Sequence, residues 1–209
     1  MCIRDSSGIW QTDVKYNFNL GADLKPDDIV MLPWAQALQA ERRDNNGKDD
    51  PEGLCLPPGF PRVNGVPFPQ KIVQLPGAII ILYETRTTFR QIFFDNGHTL
   101  PSDPQPTWMG YSKGRWDGDT LIVDTAALLP GTLFNNGVEY TENVHLLERF
   151  RLADANTLIV TQQFEDAGSF EGSAARIMSF RRGNDHVYPY DCDPTYGLDI
   201  ESRQGPGRE

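Results

Sequence analysis

Tight-turn dipeptides recur between short runs of strand-forming residues in the second two thirds of this chain. Pro76-Gly77, Asn96-Gly97 and Asp117-Gly118 each separate two such runs, and glycine tolerates the positive φ that these turns require. Because turns this short join antiparallel neighbours, the spacing predicts an up-and-down antiparallel barrel or a strongly curled meander. The predicted strands cover residues 8–16, 71–75, 78–84, 87–95, 110–116, 120–126, 140–152, 157–164 and 174–182.

The chain before Gln70 has a different character. Residues 25–43 carry helix formers at roughly helical spacing and predict one or two short helices. Residues 44–70 are so rich in Gly, Pro, Asn and Asp that they predict an irregular connector fastened to the barrel surface. A length of 209 residues suits one all-β domain. We therefore expect a single domain over residues 7–192, followed by an irregular tail over residues 193–209.

Composition excludes several classes of partner and cofactor. A net charge of -10 argues against a nucleic-acid partner, which needs a basic surface. The longest apolar run, AIIILY at residues 78–83, is far too short to span a membrane. The sequence shows no zinc-type spacing, calcium loop, phosphate loop or dinucleotide fingerprint. We therefore predict no nucleic-acid partner, no membrane span, no metal and no cofactor.

The first residues and the cysteines give information about the cellular compartment of the protein. MCIRDS at residues 1–6 is typical of a translated sequencing artefact, so we expect a non-native leader and a missing signal sequence. Cys55 and Cys192 both lie in proline-rich segments, one before and one after the long strand succession. Two interpretations stay open. A disulfide between them would imply an oxidising compartment, whereas two unpaired thiols would carry no such implication.

Polar residues that interrupt apolar strand faces are the candidates for chemistry, since alternate side chains share a face. Glu148 interrupts the apolar even positions of its strand, Arg90 shares a face with Ile92, and Asp124 lies on the face opposite Val123. His145 is the histidine placed most securely on a strand. A carboxylate on an apolar face needs a partner, so at least two of Arg90, Asp124, His145 and Glu148 are expected to meet as a polar island. Such a pair is either structural or lines a pocket.

Aromatic residues supply the other indication of function. They concentrate around the strand after residue 107, where walls of aromatic side chains with a few polar groups would hold a small hydrophobic or aromatic ligand. The alternative interpretation is that they fill the core. The predicted ligand-binding residues are Arg90, Tyr111, Trp108, Trp116 and Tyr83, with Arg90 and Tyr111 orienting the polar end of the ligand.

Three functions are compatible with these patterns. The first is a binding protein whose barrel cavity holds a small hydrophobic or aromatic molecule. The second is an enzyme of the isomerase, cyclase or lyase type, in which His145 acts with Glu148 or Asp124 as acid and base. The third is a structural protein with a filled barrel. Convergence of His145 and a carboxylate inside the main pocket would favour the enzyme, and a pocket of aromatics with one ion pair would favour the binder.

Two resemblances add expectations. The Gly-x-Trp of SGIWQTD resembles the signature of lipocalins and related calycin barrels. It implies that Trp10 closes one barrel end and stacks on Arg176, Arg181 or Arg182. Across residues 7–192 the segments KDDPEGLCLPPGFPR, KIVQLPG, FRQIFFD, PTWMGYSKGRWDGDTLIVDT and VHLLERFR resemble, in order, an uncharacterised family of predicted exported bacterial proteins common in soil-dwelling groups. That family implies a periplasmic or extracellular location and one domain, and it carries no activity.

Overall fold

The computed structural model describes residues 5–12, 30–45, 47–94, 103–132, 138–183, 186–190 and 192–193. These residues form short strands, one α-helix and three 3-10 helices, which are Pro51–Leu54, Arg62–Gly65 and Thr85–Thr87. Nine of the strands close into one barrel in the order β1-β13-β11-β10-β7-β6-β5-β4-β3. The elements are β1 Gly8–Thr12, β2 Val30–Met31, α1 Pro33–Asp44, β3 Gln70–Gln74, β4 Ala78–Tyr83, β5 Thr88–Phe94, β6 Tyr111–Asp117, β7 Thr120–Ala126, β8 Gly131–Thr132, β9 Glu139–Tyr140, β10 His145–Asp154, β11 Thr157–Glu165, β12 Phe170–Glu171 and β13 Ser173–Gly183.

The predicted all-β barrel, with helix mainly in the region before Gln70, is confirmed, and a short 3-10 helix at Thr85–Thr87 lies after Gln70. Its physical basis is the period-two burial of the strands, in which alternate side chains enter the core. In β10, for example, Leu146, Glu148, Phe150 and Leu152 are buried. Helix α1 begins with Pro33 in its first turn and is shorter than the predicted range, of which residues 25–29 lie outside the described residues. Residues 13–16 of the predicted first strand also lie outside them.

One pair of neighbours departs from the up-and-down order. β5 and β6 run parallel, and their register covers only Ile92 to Phe94 opposite Ser112 to Gly114. The connection over residues 95–110 is long enough for the crossover that parallel strands need. The predicted turn at Asn96-Gly97 lies outside the described residues. Because the register begins only at Ile92, the first half of β5 and the segment before β6 diverge.

The proline-rich connector enters the barrel instead of lying on its surface. Phe60 and Val63 are at most 1% exposed and belong to the hydrophobic core. Arg62 is also buried, and its guanidinium binds the carboxylates of Asp50 and Glu52 at 2.6 to 2.9 Å. The prediction of a surface connector is therefore wrong for residues 59–66. Residues 62–65 form a 3-10 helix, and backbone hydrogen bonds within the segment together with barrel groups and nearby carboxylates bind most of its polar groups, which allows the segment to be buried.

Trp10 of β1 belongs to the hydrophobic core of the barrel. It is fully buried, and its indole nitrogen donates to the carbonyl oxygen of Ser6 at 2.8 Å. Of the three arginines that the resemblance offered, Arg182 lies over the indole ring at 4.4 Å, directly opposite Trp10 in the β1–β13 register. Arg176 is buried and Arg181 is exposed on the outer face. The contact between the first and last barrel strands thus has a cation–π component.

A covalent bond ties the segment after β13 to the connector. Cys55 and Cys192 form a disulfide with a Cα separation of 5.7 Å. Residues 186–190, which precede Cys192, lie on the outer surface. There the backbone amides of Tyr188 and Tyr190 donate to the side chains of Glu84 and Thr87 at 3.0 Å. Of the two interpretations of the cysteines, the structure contains the disulfide.

No helix within the described residues has the length and hydropathy needed to cross a membrane.

Candidate functional site

Arg90 and Glu148 form an ion pair inside the barrel. Arg90 comes from β5 and Glu148 from β10, and both side chains are at most 1% exposed. Arg90 Nη2 lies 2.6 Å from Glu148 Oε2. The guanidinium also donates from Nε to Ser112 Oγ at 2.9 Å and from Nη2 to Thr125 Oγ1 at 2.7 Å. These two hydroxyls compensate part of the desolvation cost of burying the charge.

Further side chains extend this network across the lumen. Glu148 Oε1 accepts from Gln162 Nε2 at 2.8 Å and from Asn64 Nδ2 at 3.3 Å. Gln162 in turn accepts from Arg176 Nη2 at 2.8 Å. The Arg90 guanidinium lies 3.9 Å from the centre of the Phe60 ring. The connector segment therefore supplies both a hydrogen bond and an aromatic face to the charge pair.

The hydroxyl of Tyr83 and Nη1 of Arg90 are among the buried polar atoms of this interior that lack a hydrogen bond of good geometry with the described residues. Burial raises the pKa of Tyr83, and the negative charge of Glu148 reinforces this effect. The positive charge of Arg90 and a hydrogen bond from its side chain to the Tyr83 hydroxyl oppose it. Tyr83 and the Arg90 guanidinium thus act on each other inside the barrel.

A cleft of about 420 Å3 opens in the barrel wall where β5 and β6 diverge. Arg90 and Ser112, whose side chains are buried, are among its lining residues. The wall carries outward-facing aromatic residues of β5 and β6 together with the segment before β6. The complete lining is Pro57, Thr88, Phe89, Arg90, Gln91, Phe93, Thr107, Trp108, Met109, Gly110, Tyr111 and Ser112. This volume lies within the range of small-molecule sites.

The connector fixes one rim of the cleft. The amide of Phe60 donates to the carbonyl oxygen of Trp108 at 2.9 Å. Gly110 directly precedes β6 with a φ of +62°, and a Cβ there would lie 2.7 Å from the carbonyl oxygen of Ala126. Only glycine fits this close approach. Trp108 and Tyr111 are thus held on a tightly packed backbone.

The cleft contains three of the five predicted ligand-binding residues, namely Arg90, Trp108 and Tyr111. Trp116 is directed away from it and stacks on Phe94, with ring centres 6.4 Å apart. Tyr83 lies in the barrel interior and does not line the cleft. We expected the ligand cavity to lie inside the barrel. The cleft lies in the barrel wall instead, because the connector occupies the lumen. Whether these residues bind a ligand stays a prediction.

His145 and Asp124 meet on the outside of the barrel. Nε2 of His145 lies 3.0 Å from both carboxylate oxygens of Asp124, and the side chains are 44% and 54% exposed. Glu148 lies on the inner face of the same strand as His145. The predicted combination of His145 with Glu148 is therefore wrong, because odd and even residues of a strand face opposite sides. The expected polar island consists of two separate pairs, one inside and one outside.

Asp124 also lines a second cavity, of about 370 Å3, on the outer face of β6 and β7. Lys113 and Arg115 from β6 line it as well, together with Tyr111. Tyr111 thus borders both cavities. His145 is not in the lining of either one. Within the described residues, no group of three His, Cys, Asp or Glu side chains is placed to hold a metal ion.

Several residues of the interior network were not predicted from sequence. Ser112 and Thr125 had a usable signal, because the register of the hairpin at Asp117-Gly118 places them opposite each other on the inner face. Gln162 occupies an inward position of β11 and could have been found from the same alternation. Asn64 had no such signal, since it lies in a short 3-10 helix of the proline-rich connector, whose path depends on the whole barrel.

No protein-family model, curated protein or solved structure matches this chain.

Proposed function

We propose that this protein binds a small aromatic ligand in the cleft between β5 and β6, with a hydrogen-bond acceptor of the ligand directed toward Arg90. The aromatic rings of Phe89, Phe93, Trp108 and Tyr111 would cover the apolar body of the ligand. Arg90 would anchor the acceptor group through its donors at the base of the cleft.

The observation that carries the proposal is the composition of the cleft. Its opening of about 420 Å3 is bordered by aromatic residues, among them Phe89, which is 56% exposed. The side chains of Arg90 and Ser112 are buried behind this wall, so an acceptor of the ligand reaches them only when the side chains that cover them move aside. Exposed aromatic residues around a cleft of this size support a binding site more than a packed wall.

The geometry favours a binding protein over the enzyme considered from sequence. The cleft is lined by aromatics together with one arginine of an ion pair, whereas His145 and Asp124 meet on the outer surface. Catalysis by acid and base requires both groups within reach of the same substrate. The cleft offers no such pair among its lining residues.

We also propose that the protein acts outside the cytoplasm. The disulfide between Cys55 and Cys192 supports this location, because disulfides persist in oxidising compartments and are rare in the cytosol. The proposal agrees with the resemblance to an exported bacterial family.

The cleft can be tested with 2-naphthamide, a flat aromatic molecule that carries an uncharged acceptor. Isothermal titration should give saturable one-to-one binding to the full chain. Phe89 is 56% exposed and lines the cleft. We expect Phe89→Ala to weaken binding roughly tenfold, since an aromatic contact of this size contributes on the order of 1 kcal/mol or more.

The matched control is Ile177→Ala, which truncates a 61% exposed apolar residue on the outer face of β13 away from the cleft. It should leave the affinity unchanged. Arg90→Lys keeps a positive charge beside Glu148 but loses the planar set of donors, so it should weaken binding. Absence of binding to the wild-type protein, or equal loss in Phe89→Ala and Ile177→Ala, would overturn the proposed function.

A further inference from the structure

We propose that the ligand of the cleft is an elongated aromatic amphiphile with an anionic end, and that this end crosses Tyr111 and lies against Lys113 and Arg115 in the second cavity. The inference rests on the proposed function and names the class of ligand. It assigns the outer-face cations of β6 to recognition of a carboxylate or a comparable anion.

Tyr111 makes the two cavities neighbours. It lines the aromatic cleft on one side and the second cavity on the other. A molecule that leaves the cleft across this ring therefore enters the second cavity directly. The lining of that cavity includes the apolar residues Leu147 and Ala126, against which a short hydrocarbon linker can pack.

Strand geometry fixes the length of the ligand. Tyr111, Lys113 and Arg115 alternate along β6 on its outer face. Because a strand rises about 3.3 to 3.4 Å per residue, Lys113 lies about 7 Å beyond Tyr111 and Arg115 about 13 Å beyond it, measured along the backbone. An anionic group separated from the aromatic body by a chain of five or six atoms reaches the position of Lys113, and the long side chain of Arg115 can extend toward it.

The charges of the second cavity favour an anion. Lys113 and Arg115 contribute two positive charges, and Asp124 contributes one negative charge. Both oxygens of that carboxylate lie 3.0 Å from His145 Nε2 on β10. Lys113 lies directly opposite Asp124 in the β6–β7 register and also has an interaction within the protein. The lining thus carries a positive excess on a protein whose net charge is -10. An anionic group of a ligand is therefore attracted by these nearby side chains and not by the net charge of the protein, which is negative.

Two probes of equal length distinguish the effect of the anionic group on binding from the effect of the hydrocarbon linker. N-(2-naphthoyl)-6-aminohexanoate carries a carboxylate at the end of its linker, and N-hexyl-2-naphthamide has the same ring, amide and carbon count without the charge. We expect the wild-type protein to bind the carboxylate probe about fivefold more tightly at low salt, as suits exposed ion pairs. The advantage should shrink at 0.5 M salt because the charges are screened.

Substitutions test whether Lys113 and Arg115 cause the tighter binding of the carboxylate probe. In Lys113→Gln/Arg115→Gln the two probes should bind equally, and the hexyl amide should bind as it does to the wild-type protein. Arg151→Gln removes an exposed outer-face cation of β10 that does not line the second cavity, and it should preserve the advantage. Circular dichroism and unfolding curves establish that each variant is folded.

The outcomes distinguish this inference from the proposed function. If the hexyl amide binds in the cleft and the carboxylate brings no gain, or the gain survives in Lys113→Gln/Arg115→Gln, the inference is wrong and the proposed function stands. If neither probe nor 2-naphthamide binds, the proposed function fails and the inference with it.

Discussion

Arg90 uses the nitrogens of its guanidinium unequally. Nε and Nη2 bind Ser112, Thr125 and Glu148, whereas Nη1 lacks a hydrogen bond of good geometry with the described residues. The bonded nitrogens fix the orientation of the group, and the remaining one is held in place without rotational freedom. Such preorganisation lowers the entropy cost of binding an acceptor. Arg90 is the structural partner of Glu148, and in the proposed function the same residue would also bind the ligand.

Tyr83 offers a test of the charge environment beside that pair. Its pKa lies above the ordinary value of about 10 because the hydroxyl is buried. Below pH 10 the folded and unfolded states both hold the proton. Above pH 10 the unfolded chain loses it first, so this contribution to stability is lost as the pH rises. Tyr83→Phe should therefore gain stability relative to the wild type above pH 10, approaching about 1.4 kcal/mol per pH unit.

Urea unfolding at several values between pH 8 and pH 11 measures this difference. Tyr188→Phe serves as the control, because Tyr188 is 53% exposed and its hydroxyl is not enclosed by the core. Its stability should follow the wild type across the same range. A constant difference between Tyr83→Phe and the wild type at all these pH values would show that Tyr83 is not shielded from solvent.

At the scale of elements, the parallel contact between β5 and β6 creates the cleft. Antiparallel neighbours joined by a short turn stay paired along their length, as β6 and β7 do from Tyr111 to Ala126. β5 and β6 are joined by a long connection instead and pair only near Ile92 to Phe94. The wall is consequently open beside the first half of β5. The site is a consequence of this single change in strand direction.

Gly110 holds the open side of the cleft, and its replacement by alanine should be costly. Its φ of +62° disfavours a side chain, and a Cβ would lie 2.7 Å from the carbonyl oxygen of Ala126. Gly118 has a similar φ of +55° but faces open space. We expect Gly118→Ala to lose about 1 kcal/mol from backbone strain alone. Gly110→Ala should lose clearly more, because backbone atoms must also move.

Chemical denaturation of the two variants measures the comparison. Since the backbone strain is common to both positions, the difference between them reports the close approach at the start of β6. Equal losses would mean that this backbone contact does not constrain the rim. If Gly110→Ala also weakens 2-naphthamide binding while Gly118→Ala does not, the rim and the cleft are linked as proposed.

Sequence reasoning was effective where local rules decide structure. Asp117-Gly118 predicted its hairpin correctly, and strand alternation correctly placed Arg90 and Glu148 on the inner face. It was not effective where the path of the chain depends on distant contacts. The burial of Phe60 and Asn64 and the parallel direction of β6 depend on the closed barrel. The position of the cleft in the wall, which depends on both, could not be predicted.

At the scale of the whole molecule, the disulfide restrains the two proline-rich segments over a sequence separation of 137 residues. In the chain-entropy description, closing a loop of this length lowers the entropy of the unfolded state by an amount equivalent to roughly 5 kcal/mol. Cys55→Ser/Cys192→Ser should therefore unfold at markedly lower denaturant concentration than the oxidised protein. Guanidinium titration monitored by tryptophan fluorescence measures the change.

Reductant provides the internal control for this prediction. It should lower the midpoint of the wild-type protein to that of Cys55→Ser/Cys192→Ser and leave the double variant unaffected. Coincident midpoints for the oxidised wild type and the double variant would mean that the bridge does not contribute to stability.

The same bridge also determines what a protease can release. Residues 55–192 form a covalent ring that contains every barrel strand except β1. One cleavage within this ring opens it but frees no fragment, because both ends stay attached through the disulfide. A cleavage between β1 and Cys55 has a different result. It leaves β1 without a covalent link to the ring, held by its pairing with β3 and β13, by the burial of Trp10 against the core and Arg182, and by hydrogen bonds of Ser6 and Ser7 to Gln74 and Arg182. The first strand is therefore the one part of the barrel that a single cut can detach.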